Sequence, residues 1–226
     1  MKTIVLGLLA AMSLLTLPFL VGADDLAPTR KLLAVPEYVQ AYPLSCEAAA
    51  TTAALRFLGS KLDEDQILAV MPIDTTPRSV DADGKITWGD PTKAFVGDYK
   101  GIFLQTGYGI YAKALSAALS KLGLKTIGFE HWSLDDLRHE IDRNHPVVVW
   151  VPTRFEVVTV KTWTTPTGAI IPWIDHEHAM VFRGYDKARK IVYLMDVHTG
   201  KYQTHSESEF LRGWGYLGNQ ALIFLN

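Results

Sequence analysis

The sequence predicts an α+β fold, with helices first and an antiparallel β-sheet second, on three observations. Before Pro146 the chain holds alanine-rich and amphipathic runs framed by helix-capping residues. After it come short runs of β-branched and aromatic residues, and the separators between those runs have the composition of tight turns. No internal repeat or low-complexity linker divides the chain, so residues 24–226 are expected to form a single domain, about 200 residues being enough for one sizeable core.

Met1-Lys-Thr, the apolar run from Ile4 to Val21 and the small residues Val21-Gly22-Ala23 read as a signal peptide over 1–23, cleaved after Ala23. An uncleaved N-terminal anchor is the competing reading, since ~18 apolar residues can just span a bilayer. From Cys46 to Leu58, the residues Ala48, Ala49, Ala50, Ala53, Ala54 and Leu55 favour a closely packed, central helix stopped by Gly59. Asp63 to Met71 reads as a second helix, with Asp63 as N-cap and Pro72 beyond its end. The segment from Pro72 to Gly101, rich in Asp, Gly, Pro and Thr, reads as a long surface loop or insertion. A third helix is expected from Ala112 to Leu122, closed by Gly123, and a fourth from Leu134 to Arg143, with Ser133 and Asp136 as an acidic capping box. Strands are expected at Val147–Val151, Glu156–Trp163, Ala169–Ile174, Ala179–Tyr185, Ile191–Met195 and Ala221–Leu225, all in one antiparallel sheet. Thr165-Pro166-Thr167-Gly168 and Asp186-Lys187-Ala188-Arg189 are the hairpin turns.

With 22 Lys and Arg against 24 Asp and Glu and no basic block, nucleic acid is not an expected partner. No cysteine follows the leader directly, so a lipid anchor is not expected, and a cleaved leader leaves no stable membrane association. The protein is expected to be secreted or extracytoplasmic, or anchored if the leader stays.

Cys46 is the only cysteine, placed directly before the alanine-rich helix. An exported protein normally uses cysteines in pairs, so a lone one is reactive, intermolecular or incidental. A helix N-terminus stabilises a thiolate through its unpaired N–H groups and dipole, which makes Cys46 a candidate nucleophile; a buried structural cysteine is the plainer alternative. A nucleophilic thiol needs a histidine base, a polar group to orient it, and an oxyanion hole. His178 opens a core strand and Asp196 closes the next strand of the same hairpin, which sets the two side by side. Gln40, six positions before Cys46, can add its side-chain amide to the Cys46 N–H as an oxyanion donor.

Gln40 and Cys46 before a helix, His178 in His-Ala-Met-Val-Phe-Arg-Gly-Tyr-Asp and Asp196 in Met-Asp-Val-His-Thr-Gly-Lys-Tyr together resemble the papain-fold cysteine peptidases of the bacteriocin-processing, double-glycine leader peptidase type. Trp88-Gly-Asp-Pro, Phe95-Val-Gly and Thr106-Gly-Tyr-Gly narrow the likeness to the stand-alone, secreted, peptidase-like relatives of bacteria, over roughly residues 35 to 226. The resemblance implies a papain-like fold with the nucleophile at the start of the central helix. It also implies Cys46 as nucleophile, His178 as base, Asp196 as orienting residue and Gln40 as oxyanion donor, in a thiol hydrolase acting on a peptide or protein. Many of these relatives have glycine after the cysteine, where this chain has Glu47. A carboxylate there suits the helix dipole, yet raises the thiol pKa if it points into the site.

No cofactor or metal is expected. The competing metal reading rests on Asp175-His176-Glu177-His178, where His176 and His178 would share one face of a strand; an exposed or substrate-lining His176 is the simpler reading. Trp88, Tyr99, Phe103 and Tyr108 either line a cleft or anchor the long loop, and Trp163, Trp173 and Trp214 are expected in the core or at its rim. Two other functions stay open: an acyl transferase using the same thiol, and an inactive module that binds a peptide or cell-wall partner.

Overall fold

The structure is a computed structural model that describes residues 28–225. The expected leader, residues 1–23, lies outside the described residues. The chain begins with strand β1 (Arg30–Leu32), followed by helices α1 (Cys46–Phe57) and α2 (Glu64–Val70). Four two-residue strands follow: β2 (Ile73–Asp74), β3 (Ser79–Val80), β4 (Ile86–Thr87) and β5 (Phe95–Val96). Helix α3 (Ala112–Leu119) ends in a 3-10 turn, Ser120–Leu122, and leads to β6 (Thr126–Phe129) and α4 (Leu134–Asp142). The rest is β7 (Val147–Pro152), β8 (Lys161–Thr164), β9 (Ile170–Trp173), β10 (Glu177–Asp186), β11 (Ile191–Asp196), β12 (Lys201–Ser206), α5 (Glu207–Gly215) and β13 (Ala221–Phe224).

The helix ends obey local chemistry. The side chains of Asp63 and Gln66 each accept the other's backbone N–H across the start of α2, and Ser133 and Asp136 do the same for α4, so each cap satisfies two N–H groups that the helix leaves open. Gly59 adopts φ +85° after α1, where its N–H and that of Ser60 close the last carbonyls.

The main sheet runs in the order β12-β11-β10-β7-β13-β6, antiparallel throughout, and β1 pairs with the far end of β10. Every residue of β7 and β10 is buried, which makes them the centre of the core. Helix α1 packs on β10 and β7. Ala48, Ala49, Ala50, Ala53 and Ala54 have no exposed surface, and their small side chains are what allow so close an approach. The buried hydroxyls of Thr51 and Thr52 are satisfied by the carbonyls of Glu47 and Ala48, one turn back.

Besides the unexpected β1, β6, β12 and α5, the sequence patterning differs from the structure in the following places. The strands after Pro146 do not form one sheet: β8 and β9 join β3 and β4 in a separate four-stranded sheet. Residues 72–101 are therefore not a featureless loop but supply half of that sheet and the parallel pair β2–β5. Trp88 ties the two parts together, since its N–H donates to Thr164 and Trp163 Nε1 donates to Gly89. Residues 156–160 are irregular despite their β-branched content, because no neighbouring strand offers them a ladder.

Candidate active site

Cys46 opens α1 from the N-terminal side of the core. The Ser45 hydroxyl does not cap the helix; it turns back to the Tyr42 N–H and carbonyl, which leaves the first turn of α1 uncapped by it. His178 and Asp196 come from the neighbouring strands β10 and β11. In their register Asp196 lies opposite Met180, so it is the diagonal neighbour of His178 on the same face. His178 Nε2 and Asp196 Oδ1 are 2.8 Å apart and both side chains are buried. The other imidazole nitrogen, Nδ1, is left for a partner other than Asp196.

Asp196 is held by four hydrogen bonds. Oδ1 also accepts the His198 N–H, while Oδ2 accepts the Thr199 hydroxyl and Gln203 Nε2, each at 2.8 Å. Burial alone would raise its pKa, but the hydrogen bonds and the His178 charge outweigh that and hold the carboxyl at about 2. The imidazole is thus fixed against a dependable anion.

The thiol end is different. Cys46 Sγ donates to Glu47 Oε2 at 3.4 Å. Burial, then the carboxyls of Glu47 and Glu177, push the thiol well above its usual range, and the N–H of Ala179 offsets only part of this. The helix N-terminus favours the thiolate, but here desolvation and two nearby acids win. Burial likewise raises Glu47 to about 7 and Glu177 well above the carboxylate range, the latter with help from Glu47. The second oxygen of Glu47, Oε1, accepts the Ile110 N–H at 2.8 Å.

Cys46 and His178 line one cleft of about 230 Å³ together with Gln40, Leu44, Phe103, Tyr108 and Glu177. Gln40 is at the cleft, its N–H tied to Val197, but its amide nitrogen donates to the Tyr42 and Pro43 carbonyls at 2.8 and 2.9 Å, and its Oε1 is buried without a partner among the described residues. The structure therefore brings the four sequence-derived residues to one place, with the Gln40 amide nitrogen engaged by two backbone carbonyls. A larger cleft of about 550 Å³, lined by Ile73, Arg78, Trp88, Tyr99 and Thr106, contains neither the thiol nor the imidazole.

His176 is exposed with φ +59° just before β10 and lines the thiol cleft, whereas Asp175 pairs with Lys161 at 2.7 Å. The strand alternation expected of His176 and His178 does not arise, because β10 starts only at Glu177. Among the described residues, the group close enough to hold a metal is instead Cys46, Glu47 and Glu177. Sequence reasoning met Glu177 only within the Asp175-His176-Glu177-His178 metal reading and gave it no place beside the thiol. Trp88 and Tyr108 are buried in an aromatic cluster with Trp163, and Phe103 stacks on Tyr108 at the cleft. Trp173 and Trp214 are buried as well.

A central helix opening on a cysteine, packed against an antiparallel sheet that carries a buried His–Asp pair, is the papain-like cysteine peptidase fold. The profile of the Peptidase_C39 like family matches residues 32–222, and the chain belongs to that family. It is similar to the uncharacterized protein YvpB of Bacillus subtilis (strain 168), 27% identical over 180 residues that span 79% of this chain and 68% of YvpB. A solved structure from Bacillus anthracis, assigned as a C39-like peptidase, superposes with a TM-score of 0.73 at 24% identity, over 87% of this chain and 98% of that one. Xylellain, a cysteine protease from Xylella fastidiosa, has a TM-score of 0.44 at 12% identity over 88% and 87% of the two chains, too distant to carry weight.

Proposed function

We propose that the protein is a cysteine peptidase acting outside the cytoplasm on a peptide or protein, through Cys46, His178 and Asp196. The observation that carries this reading is the buried His178–Asp196 pair at 2.8 Å, on the same cleft as a cysteine at a helix start. Cys46 Sγ gives its proton to His178 Nδ1 and attacks the scissile carbonyl, the C–N bond breaks as His178 returns the proton to the leaving amine, and water then hydrolyses the thioester. Asp196 orients the imidazole and stabilises its charged form. The Cys46 N–H and the Gln40 amide hold the oxyanion, which requires Gln40 to exchange its two carbonyl partners for substrate. The thiol must likewise turn from Glu47 to His178.

The raised thiol and the engaged Gln40 amide favour a second reading, an inactive module that keeps the cleft for binding. Labelling with a peptidyl vinyl sulfone in chelator-containing buffer separates the two. The peptidase reading expects rapid labelling of wild type and none of Cys46→Ala or His178→Ala; an unlabelled wild type, or a reaction indifferent to His178→Ala, would put the binding module first. Product analysis with an added amine acceptor distinguishes hydrolysis from acyl transfer.

A further inference from the structure

A thiol and two carboxyl groups are enclosed together at the start of α1. Cys46 Sγ and one oxygen each of Glu47 and Glu177 lie within 4.8 Å of one another, and all three residues are buried. The side chains that most strongly shift Cys46 and Glu177 come from this group, while backbone N–H groups of Ala179 and Ile110 act in the opposite sense on Cys46 and Glu47. Glu177 is only 7% exposed, yet its Oε1 has no hydrogen-bond partner among the described residues. Leaving such a group unpaired costs about 1–3 kcal/mol, and more when it is charged. Gly109 keeps the space between the carboxyls clear: a Cβ there would fall 2.3 Å from Glu47 Oε1 and 3.4 Å from Glu177 Oε2. Cys46 and Glu177 also line the thiol cleft, which gives an ion a way in.

We propose that Cys46, Glu47 and Glu177 form a binding site for a thiophilic divalent cation of the zinc class, which holds the nucleophile as a capped thiolate. A thiolate with two carboxylates is a mixed soft and hard donor set. Zinc accepts it, whereas calcium and magnesium require oxygen shells. Zn–S and Zn–O bonds of about 2.3 and 2.1 Å place tetrahedral donors about 3.5 Å apart, so the side chains need only a small closure, with a water in the fourth position facing the cleft. Binding breaks the Cys46 S–H bond and forms an S–metal bond. That proton and any held by the carboxyls go to solvent, the aqua ligands that the three protein donors replace leave the ion, one water stays, and no electrons are exchanged. Only the capping consequence rests on the peptidase reading, through Cys46 as nucleophile; the site itself does not.

Cobalt(II), titrated into the metal-free full chain, tests the site without turnover, because thiolate ligation produces a near-ultraviolet sulfur-to-metal band. The expected result is a band that saturates at one ion per chain, is displaced by zinc and is absent in Cys46→Ser. Glu177→Gln should bind at least about tenfold more weakly. On the wild type alone, zinc should slow iodoacetamide alkylation of Cys46 and EDTA should restore it, a readout that survives any folding defect in the variants. A wild type without the band, alkylation unaffected by zinc, or folded Glu177→Gln that binds cobalt as tightly as wild type would overturn the site; a proton shared by the two carboxyls would then account for the cluster. A cobalt band together with failed vinyl sulfone labelling would remove the peptidase reading and leave the metal site standing.

Discussion

The two sides of the cleft are built on opposite principles. On the histidine side, Asp196 has four donors, a pKa of about 2 and no exposed surface, so the charge it carries is fully compensated. On the cysteine side, two buried acids and a thiol face each other, with one carboxyl oxygen that has no hydrogen-bond partner among the described residues. The difference teaches that the His178–Asp196 pair is organised before any ligand arrives, whereas the Cys46 thiol awaits a change in its surroundings. That change is a proton, an ion, or a turn of the thiol toward His178.

Substitutions can break either half of this contrast. Asp196→Asn should have the largest effect, lowering vinyl sulfone labelling on the order of 10³-fold while Cys46 stays accessible to iodoacetamide; similar rates for variant and wild type would mean the pair does not orient a base. Gly109→Ala should destabilise the cysteine side by about 1–3 kcal/mol, read as a lower urea midpoint, because its Cβ would overlap Glu47 Oε1. Glu47→Gln removes one of the two acids that raise the thiol. With chelator present, alkylation of Cys46 at neutral pH should speed up about tenfold, and an unchanged rate would leave burial and Glu177 as the causes.

The smallest effect is on acid stability. The folded pKa of Asp196 lies below its ordinary value, so its contribution is complete above about pH 4 and is lost as pH falls toward 2. Discounted for screening, the loss is on the order of 1 kcal/mol. Comparing urea midpoints of wild type and Asp196→Asn at pH 3 and pH 6 measures it; a gap between them that does not narrow at pH 3 would contradict the assignment.

Much of this was legible in the sequence because it is local. Asp63, Ser133, Gly59 and the two hairpin turns announce their elements with short-range chemistry, and the apolar runs of β7, β10 and β11 are too continuous to be surface. The hairpin also explains why His178 and Asp196 could be paired from their positions along the chain. Less legible were elements whose stability comes from elsewhere. The β12 sequence Lys-Tyr-Gln-Thr-His-Ser has no apolar face, and exists because β11 offers it a ladder at the sheet edge. The short strands of residues 73–96 are likewise made by their partners. Helix α5 did carry a signal, the Ser206–Glu209 capping box, obscured by a run of polar residues. Glu177 could not be found locally, since what makes it unusual is the company of Glu47, 130 positions away along the chain.

One clasp has a wider consequence. Glu47 holds the Cys46 thiol with one oxygen and the Ile110 N–H with the other, while the Ile110 carbonyl accepts Trp150 Nε1 from the central strand. The stretch between β5 and α3 is therefore not a detachable accessory, because the Ile110 backbone near its end is wired to both the Cys46–Glu47 pair and the sheet. Anyone exchanging residues 72–111 for the corresponding stretch of a relative would have to transplant position 47 with it, and a graft that did not would return a cysteine with a different temperament.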